Sequence, residues 1–93
     1  MKAGTNLEKV LESGAFAVTA EVGPPKGASS KVVVGKGDKL RHCCDALNVT
    51  DNQTAVVRMS SWAGCLLLKQ LGIDPVMQMV VRDRNRIALQ SDV

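Results

Sequence analysis

The stretch Phe-Ala-Val-Thr-Ala-Glu-Val-Gly-Pro-Pro-Lys-Gly, residues 16–27, decides the fold. Its first seven residues alternate, with Phe16, Val18, Ala20 and Val22 on one face, which predicts a strand over 16–22. The Gly-Pro-Pro that follows cannot continue this strand, because proline lacks the amide that a ladder needs. We therefore expect Glu21 at the carboxyl end of a strand, beside a turn.

Outward from this stretch, strands and helices alternate along the chain. Residues 45–50 and 75–81 are predicted strands, and helices are predicted from Leu7 to about Gly14, over 29–41, 60–72 and 86–91. Strands that recur about every 30 residues with helices between them indicate βαβ units and a parallel sheet. We predict an α/β fold in which residues 1–93 form one domain.

The composition bounds the class of protein. A 93-residue chain with 45% apolar and 23% charged residues is typical of a globular domain and excludes disordered and fibrous proteins. No apolar run approaches the length of a membrane span, and Glu8, Lys9 and Glu12 interrupt any signal-peptide core. Three cysteines form no secretory framework, which favours a reducing, cytoplasmic location without a membrane.

The net charge and the aromatic content limit the classes of ligand that the chain is expected to bind. The net charge of +3 would attract phosphate-bearing ligands, but one Trp, one Phe and no Tyr leave almost no stacking platform for nucleic acid. His42-Cys43-Cys44 has neither the spacing nor the second pair that a metal site needs, so no metal is expected. The arginines over 82–86 are interpreted as a solvated face or a phosphate clamp.

The most polar junctions follow the predicted strands: Glu21, then Thr50 with 51–53, then 82–85. Carboxyl ends of parallel strands share one edge, so these groups are expected to meet there. Glu21, flanked by apolar residues, is expected to be partly desolvated, which would raise its pKa toward that of a useful acid. The alternative is a solvated glutamate, or one paired with Lys26.

For two further residues the sequence allows more than one role. Asp51 could be a general base, a ligand for a polar cofactor or the cap of the following helix. Gln78, the lone polar side chain inside the third predicted strand, is either a hydrogen-bonded core amide or a site residue.

Three segments, 16–27, 47–61 and 75–92, resemble in order and spacing the amino-terminal third of methylenetetrahydrofolate reductases, in the branch found in acetogens and other anaerobes. The resemblance implies a flavoprotein with a (β/α)₈ TIM barrel. Such an enzyme passes a hydride from NAD(P)H to FAD and on to 5,10-methylenetetrahydrofolate. The product, 5-methyltetrahydrofolate, belongs to one-carbon metabolism and methionine biosynthesis.

The resemblance also implies roles for individual residues. Glu21 matches the general acid that helps to open the methylene bridge of the folate. Thr50 matches a threonine on the nicotinamide and folate side of the flavin, and Asp51 and Gln53 match positions that touch FAD. Gln78 falls where many relatives have a histidine beside the flavin. Val80-Val81 departs from the more usual Thr-Cys, which removes polar side chains from that position.

The length implies a fragment of such a barrel. A complete barrel needs about 250 residues, so the chain is expected to supply about three of eight strands, to bind FAD weakly or not at all, and to be inactive alone. Open edges of a parallel sheet invite pairing, so a homo-oligomer or a complex with a partner subunit is expected. The competing hypothesis is a non-catalytic truncated α/β fragment that self-associates or docks with a partner.

Overall fold

The computed structural model describes residues 2–93, which form helices, short strands and one 3₁₀ turn. In chain order the elements are α1 (Asn6–Glu12), β1 (Thr19–Val22), α2 (Ser30–Leu40), β2 (Ala46–Val49), the 3₁₀ turn Gln53–Ala55, α3 (Ser61–Gln70), β3 (Pro75–Met77) and α4 (Arg86–Asp92). The predicted order of helices and strands is confirmed.

The strands form one parallel sheet in the order β1-β2-β3. Its register places Glu21 beside Asn48, and Asn48 beside Val76. A parallel sheet whose strands alternate with helices confirms the predicted fold class and is consistent with the first βα units of a TIM barrel.

The hydrophobic core lies on one face of this sheet. Val22, Leu47 and Val49 point toward the helices and are fully buried, as are Val33 of α2 and Leu68 of α3. Gly64 allows α3 to approach β2 closely, because a Cβ there would lie only 2.9 Å from Val49 Cγ1. We call this the helix-covered face.

The alternate residues point the other way, onto what we call the open face. Thr19 and Glu21 of β1 are exposed there, and Asn48 and Val76 are half-buried. Because side chains alternate along a strand, the residue after each core position necessarily lies on this face.

β2 is one residue shorter at each end than predicted, and two other strand boundaries differ by three residues or more. β1 begins at Thr19 rather than Phe16, whose side chain is 90% exposed, and β3 ends at Met77 rather than Val81. In both places an aspartate side chain accepts a hydrogen bond from a backbone amide outside the strand ladder. Asp45 Oδ2 accepts from Val18 N (2.9 Å), and Asp51 Oδ2 accepts from Val80 N (3.0 Å). Alternating apolar residues therefore continue past the residues that have strand partners.

The predicted helix caps are present in the structure, whereas the predicted apolar face of α3 is only partly correct. The capping-box spacing of Thr5 and Glu8 predicts the start of α1, and Thr5 accepts from Glu8 N. Ser60, one of two serines that precede the predicted third helix, caps α3 by accepting from Ala63 N, and Gly14, predicted to end the first helix in a left-handed conformation, has a positive φ.

The spacing of Trp62, Cys65, Leu66, Leu68 and Leu71 predicts one apolar stripe on α3. This prediction was partly wrong, because Trp62 and Leu66 are exposed while Leu68 is buried. No helix within residues 2–93 is long and apolar enough to cross a membrane.

Candidate functional site

A cleft of about 290 Å³ opens at the carboxyl ends of the three strands. Its lining includes all five residues predicted for the site: Glu21, Thr50, Asp51, Gln53 and Gln78. The ends of parallel strands meet at one edge, so residues far apart in sequence converge there. We call this space the strand-end cleft.

Glu21 reaches the strand-end cleft from β1, on the open face of the sheet. Its side chain is exposed, so the expectation of a partly desolvated carboxylate was wrong for this structure. The physical reason is that α2 and α3 pack on the opposite face, where Val22 lies. Within residues 2–93, Glu21 makes no ion pair, and the alternative pairing with Lys26 is not seen either.

Thr50 directly follows β2 and lines the cleft. The residue is 5% exposed, and its hydroxyl is buried without a hydrogen-bond partner in the described chain. Gly23, in the turn after β1, lies close enough that a Cβ there would be 3.9 Å from Thr50 Oγ1. An unpaired buried hydroxyl costs about 1–3 kcal/mol, so Thr50 is a group that a ligand could satisfy.

Asp51 is buried and connects two strand ends. Its Oδ2 accepts from the backbone of Val80 and from Arg84 Nη2 (2.8 Å), while its Oδ1 has no partner among the described residues. The capping alternative was wrong, since Ser60 caps α3. Asp51 instead fixes the segment after β3 against the end of β2.

Gln78 follows β3 rather than lying inside it, and its side chain is exposed, so the core-amide alternative was wrong. Its backbone is held on both sides: the N–H donates to the Val49 carbonyl (3.1 Å), and its carbonyl accepts from Ser61 Oγ (2.7 Å). Ser61 is buried and was not predicted from sequence. These two bonds fix where Gln78 stands at the rim of the cleft.

Another part of the cleft lining is a strained turn that the sequence did not predict. Asn52, Thr54 and Ala55 have φ of 44°, 59° and 57°, in the left-handed region that non-glycine residues rarely adopt. The turn is held by Asn52 Oδ1, which accepts from Arg58 N at 3.0 Å. Gln53, exposed in this turn, lines the cleft.

The arginines near the cleft pair within the chain. Arg82 donates to Asp83 and to the Asn52 carbonyl, and this contact lowers the pKa of Asp83 below its ordinary value. Arg84 bridges Asp51 and Asp92. The interpretation of these two side chains as a phosphate clamp was therefore wrong, since each already binds a carboxylate; the role of Arg84 was not predicted.

The remaining chemistry-bearing groups lie apart from the cleft. Residues 2–93 contain no cluster of three or more His, Cys, Asp or Glu side chains that could hold a metal ion. Cys43, Cys44 and Cys65 are unpaired thiols. Burial raises the pKa of Cys65 to about 11, so that thiol is protonated and unreactive at neutral pH.

Comparison with known proteins gives one finding. A family model described as methylenetetrahydrofolate reductase matches residues 6–93. No curated protein and no solved structure matches the chain. The match covers nearly the whole sequence, including every residue of the strand-end cleft.

Proposed function

This chain belongs to the methylenetetrahydrofolate reductase family, and on that basis we propose that it takes part in reducing 5,10-methylenetetrahydrofolate to 5-methyltetrahydrofolate. The family is one of oxidoreductases that act on folate in one-carbon metabolism. In the proposed reaction NAD(P)H is the donor and FAD carries the hydride. The product would feed methyl-group chemistry such as methionine biosynthesis.

The observation that carries the proposal is the convergence of Glu21, Thr50 and Gln78 on one cleft at the carboxyl edge of a parallel sheet. In (β/α)₈ barrels that edge holds the active site. An acid, a hydroxyl and an amide come from three consecutive strands there. Each can hydrogen-bond a heterocycle in a different way.

Glu21 is proposed as the general acid. Opening the methylene bridge breaks a carbon–nitrogen bond and leaves an iminium cation that accepts hydride, so the departing nitrogen must receive a proton. A carboxyl group that is neutral near pH 7 can deliver it. Glu21 is exposed on the open face, where its carboxyl group is accessible to a pterin lying over that face.

The cleft offers donors and acceptors that fit a flavin. Thr50 Oγ1 and Asp51 Oδ1 are buried without partners, and the edge of an isoalloxazine ring carries both N–H and carbonyl groups. FAD, when bound, supplies the hydride that the folate receives. Thr50, Gln53 and Gln78 would hold and orient the ring, and Asp51 would keep their loops in place through Val80 and Arg84.

The wider setting is also proposed. The chain would form one folding unit, the amino-terminal part of a barrel domain, and would work as a homo-oligomer or with a partner subunit. The outer edges of β1 and β3 are unpaired among the described residues, and they are where further strands of a barrel or a strand of a partner would pair, because open edges template pairing. A cytoplasmic location is supported by the three free thiols.

A second candidate function rests on the same edges. A non-catalytic α/β fragment would use β1 or β3 to pair with itself or with a partner and would catalyse nothing. The open outer edges of the sheet favour it. It differs from the first proposal in requiring nothing of Glu21.

The test is Glu21→Gln in the barrel enzyme that carries this amino-terminal part. We expect folate reduction to fall by about 10² or more, since a general acid contributes at least that much. Flavin reduction by NAD(P)H should be unchanged, because no proton is delivered to folate in that half-reaction. Stopped-flow absorbance of the flavin measures both halves separately.

The matched control is Glu12→Gln, which removes an exposed carboxylate of α1 remote from the cleft. It should leave both half-reactions unchanged. Equal loss of both halves in Glu21→Gln would assign this residue a structural role, and no loss in either would show that Glu21 is not the acid. Absence of folate reduction in the unsubstituted protein would favour the non-catalytic candidate.

A further inference from the structure

A second and larger cavity lies on the other side of the sheet. It occupies about 590 Å³ between the loop after β1 and the exposed side of α3, and it shares no lining residue with the strand-end cleft. Small-molecule sites typically span about 300–1,000 Å³, so this space is large enough for a ligand. We call it the α3 groove.

The walls of the α3 groove are apolar. Met59, Trp62, Leu66 and Leu67 supply them. Trp62 is 55% exposed and Leu66 is 47% exposed, although both are large apolar side chains. They lie on the same helix as Leu68, which is buried in the core. A contiguous exposed apolar surface of this kind marks a binding site more often than scattered apolar residues do.

The rim of the α3 groove is positively charged. Lys26 and Arg58 line it, and no carboxylate among the described residues does. Within residues 2–93 neither cation makes an ion pair. Arg58 Nη1 donates to the Pro24 carbonyl (3.3 Å), but its Nε is buried without an acceptor. This donor therefore lacks the partner that a buried guanidinium nitrogen ordinarily has.

We propose that the α3 groove binds a small amphipathic anion, with an apolar chain or ring against Trp62 and Leu66 and one carboxylate between Lys26 and Arg58. Apolar walls favour the body of such a molecule, and two unpaired cations favour its acidic end. A neutral apolar compound would leave both cations unsatisfied. A nucleotide would place several charges against apolar walls, which is unfavourable.

The experiment is a titration of the chain with decanoate, followed by the fluorescence of Trp62, the only tryptophan in the sequence. Decanol is the neutral comparison of equal chain length. We expect a saturable change with decanoate and about tenfold weaker binding of decanol, since a charge-assisted contact is worth about 1.4 kcal/mol or more.

Two pairs of variants locate the site. Lys26→Glu should weaken decanoate binding about tenfold, while Lys31→Glu, the same charge reversal on an exposed lysine outside the groove, should change it little. Leu66→Asn should weaken binding of decanoate and decanol together, whereas Leu11→Asn, at another exposed leucine, should affect neither. Circular dichroism checks that each variant is folded.

Three results would overturn the proposal. The first is no saturable change in Trp62 fluorescence, and the second is equal binding of decanoate and decanol, which would show apolar adhesion without recognition of the acid. The third is a fluorescence that depends on protein concentration in the absence of decanoate, with dimers in sedimentation, which would place a second copy of the chain in the groove.

Discussion

The helix-covered face and the open face of the sheet are built from the same three strands, but one carries buried apolar side chains and the other carries exposed polar ones. Val22 and Val49 on the first are fully buried against α2 and α3. Glu21, between Ala20 and Val22, is exposed on the second. One face supplies the stability and the other presents the polar side chains.

This difference shows how a short chain separates folding from chemistry. Burial of a Val or Leu side chain contributes about 1.5–3 kcal/mol, so the few core positions of the helix-covered face dominate the stability. Thr19 and Glu21 of the open face are exposed and contribute little burial, so such positions are free to be acids or amides. Substitutions on the two faces should therefore differ in which property they change.

The largest loss of stability is expected for Leu68→Ala, because Leu68 is fully buried against the strands. Removing a buried leucine side chain costs about 3 kcal/mol and leaves a cavity. Leu66→Ala is the matched control two residues earlier on the same helix, where the side chain is 47% exposed. Urea unfolding measures both, and similar losses for the two variants would contradict the assignment of faces.

An intermediate loss is expected where the segment after β3 meets β2. Arg84→Met leaves Asp51 buried without its guanidinium partner, which should lower the free energy of unfolding by about 2 kcal/mol. Arg82→Met removes the exposed pair with Asp83 and an exposed hydrogen bond to the Asn52 carbonyl, and should change the unfolding midpoint little. If the two arginine variants have the same free energy of unfolding, the contact between Arg84 and Asp51 does not hold the segment after β3 against the end of β2.

The smallest effects, of opposite sign, are expected for two glycines of α2. A Cβ at Gly37 would lie 2.7 Å from Leu68 Cδ2, whereas one at Gly35 would meet nothing within 4 Å. Gly37→Ala should therefore destabilise by about 1 kcal/mol through overpacking. Gly35→Ala should stabilise by up to about 1 kcal/mol through helix propensity. Thermal unfolding distinguishes them, and a stabilising Gly37→Ala would show that α2 packs more loosely than described.

Much of the fold was predictable because its signals are local. The alternation around Glu21, the Gly-Pro-Pro turn and the serine cap of α3 depend on neighbouring residues, and the structure has each of them. The strand limits were not predictable in the same way. A ladder ends where its partner ends, and the side chains of Asp45 and Asp51, each about 30 residues from the amide that it binds, decide that point.

The strand-end cleft was predictable to a similar degree. Topology alone brings Glu21, Thr50 and Gln78 to one edge, since parallel strands share their carboxyl ends. The burial of Asp51 and its bond to Arg84 depend on contacts across 33 residues that no local pattern encodes. The exposure of Glu21 follows from the alternation of the strand, because the apolar neighbours that suggested desolvation, Ala20 and Val22, face the helices on the opposite side.

The aspartates on either side of β2 affect the register of the two outer strands, β1 and β3. Asp45 holds an amide at the start of β1, and Asp51 holds one beyond the end of β3. If either outer strand slid by one residue, a carboxylate would lose its donor and the slid strand would turn its opposite side chains toward the helices. The two carboxylates thus oppose sliding of the outer strands, and they keep Glu21 of the first strand beside Asn48 of the second.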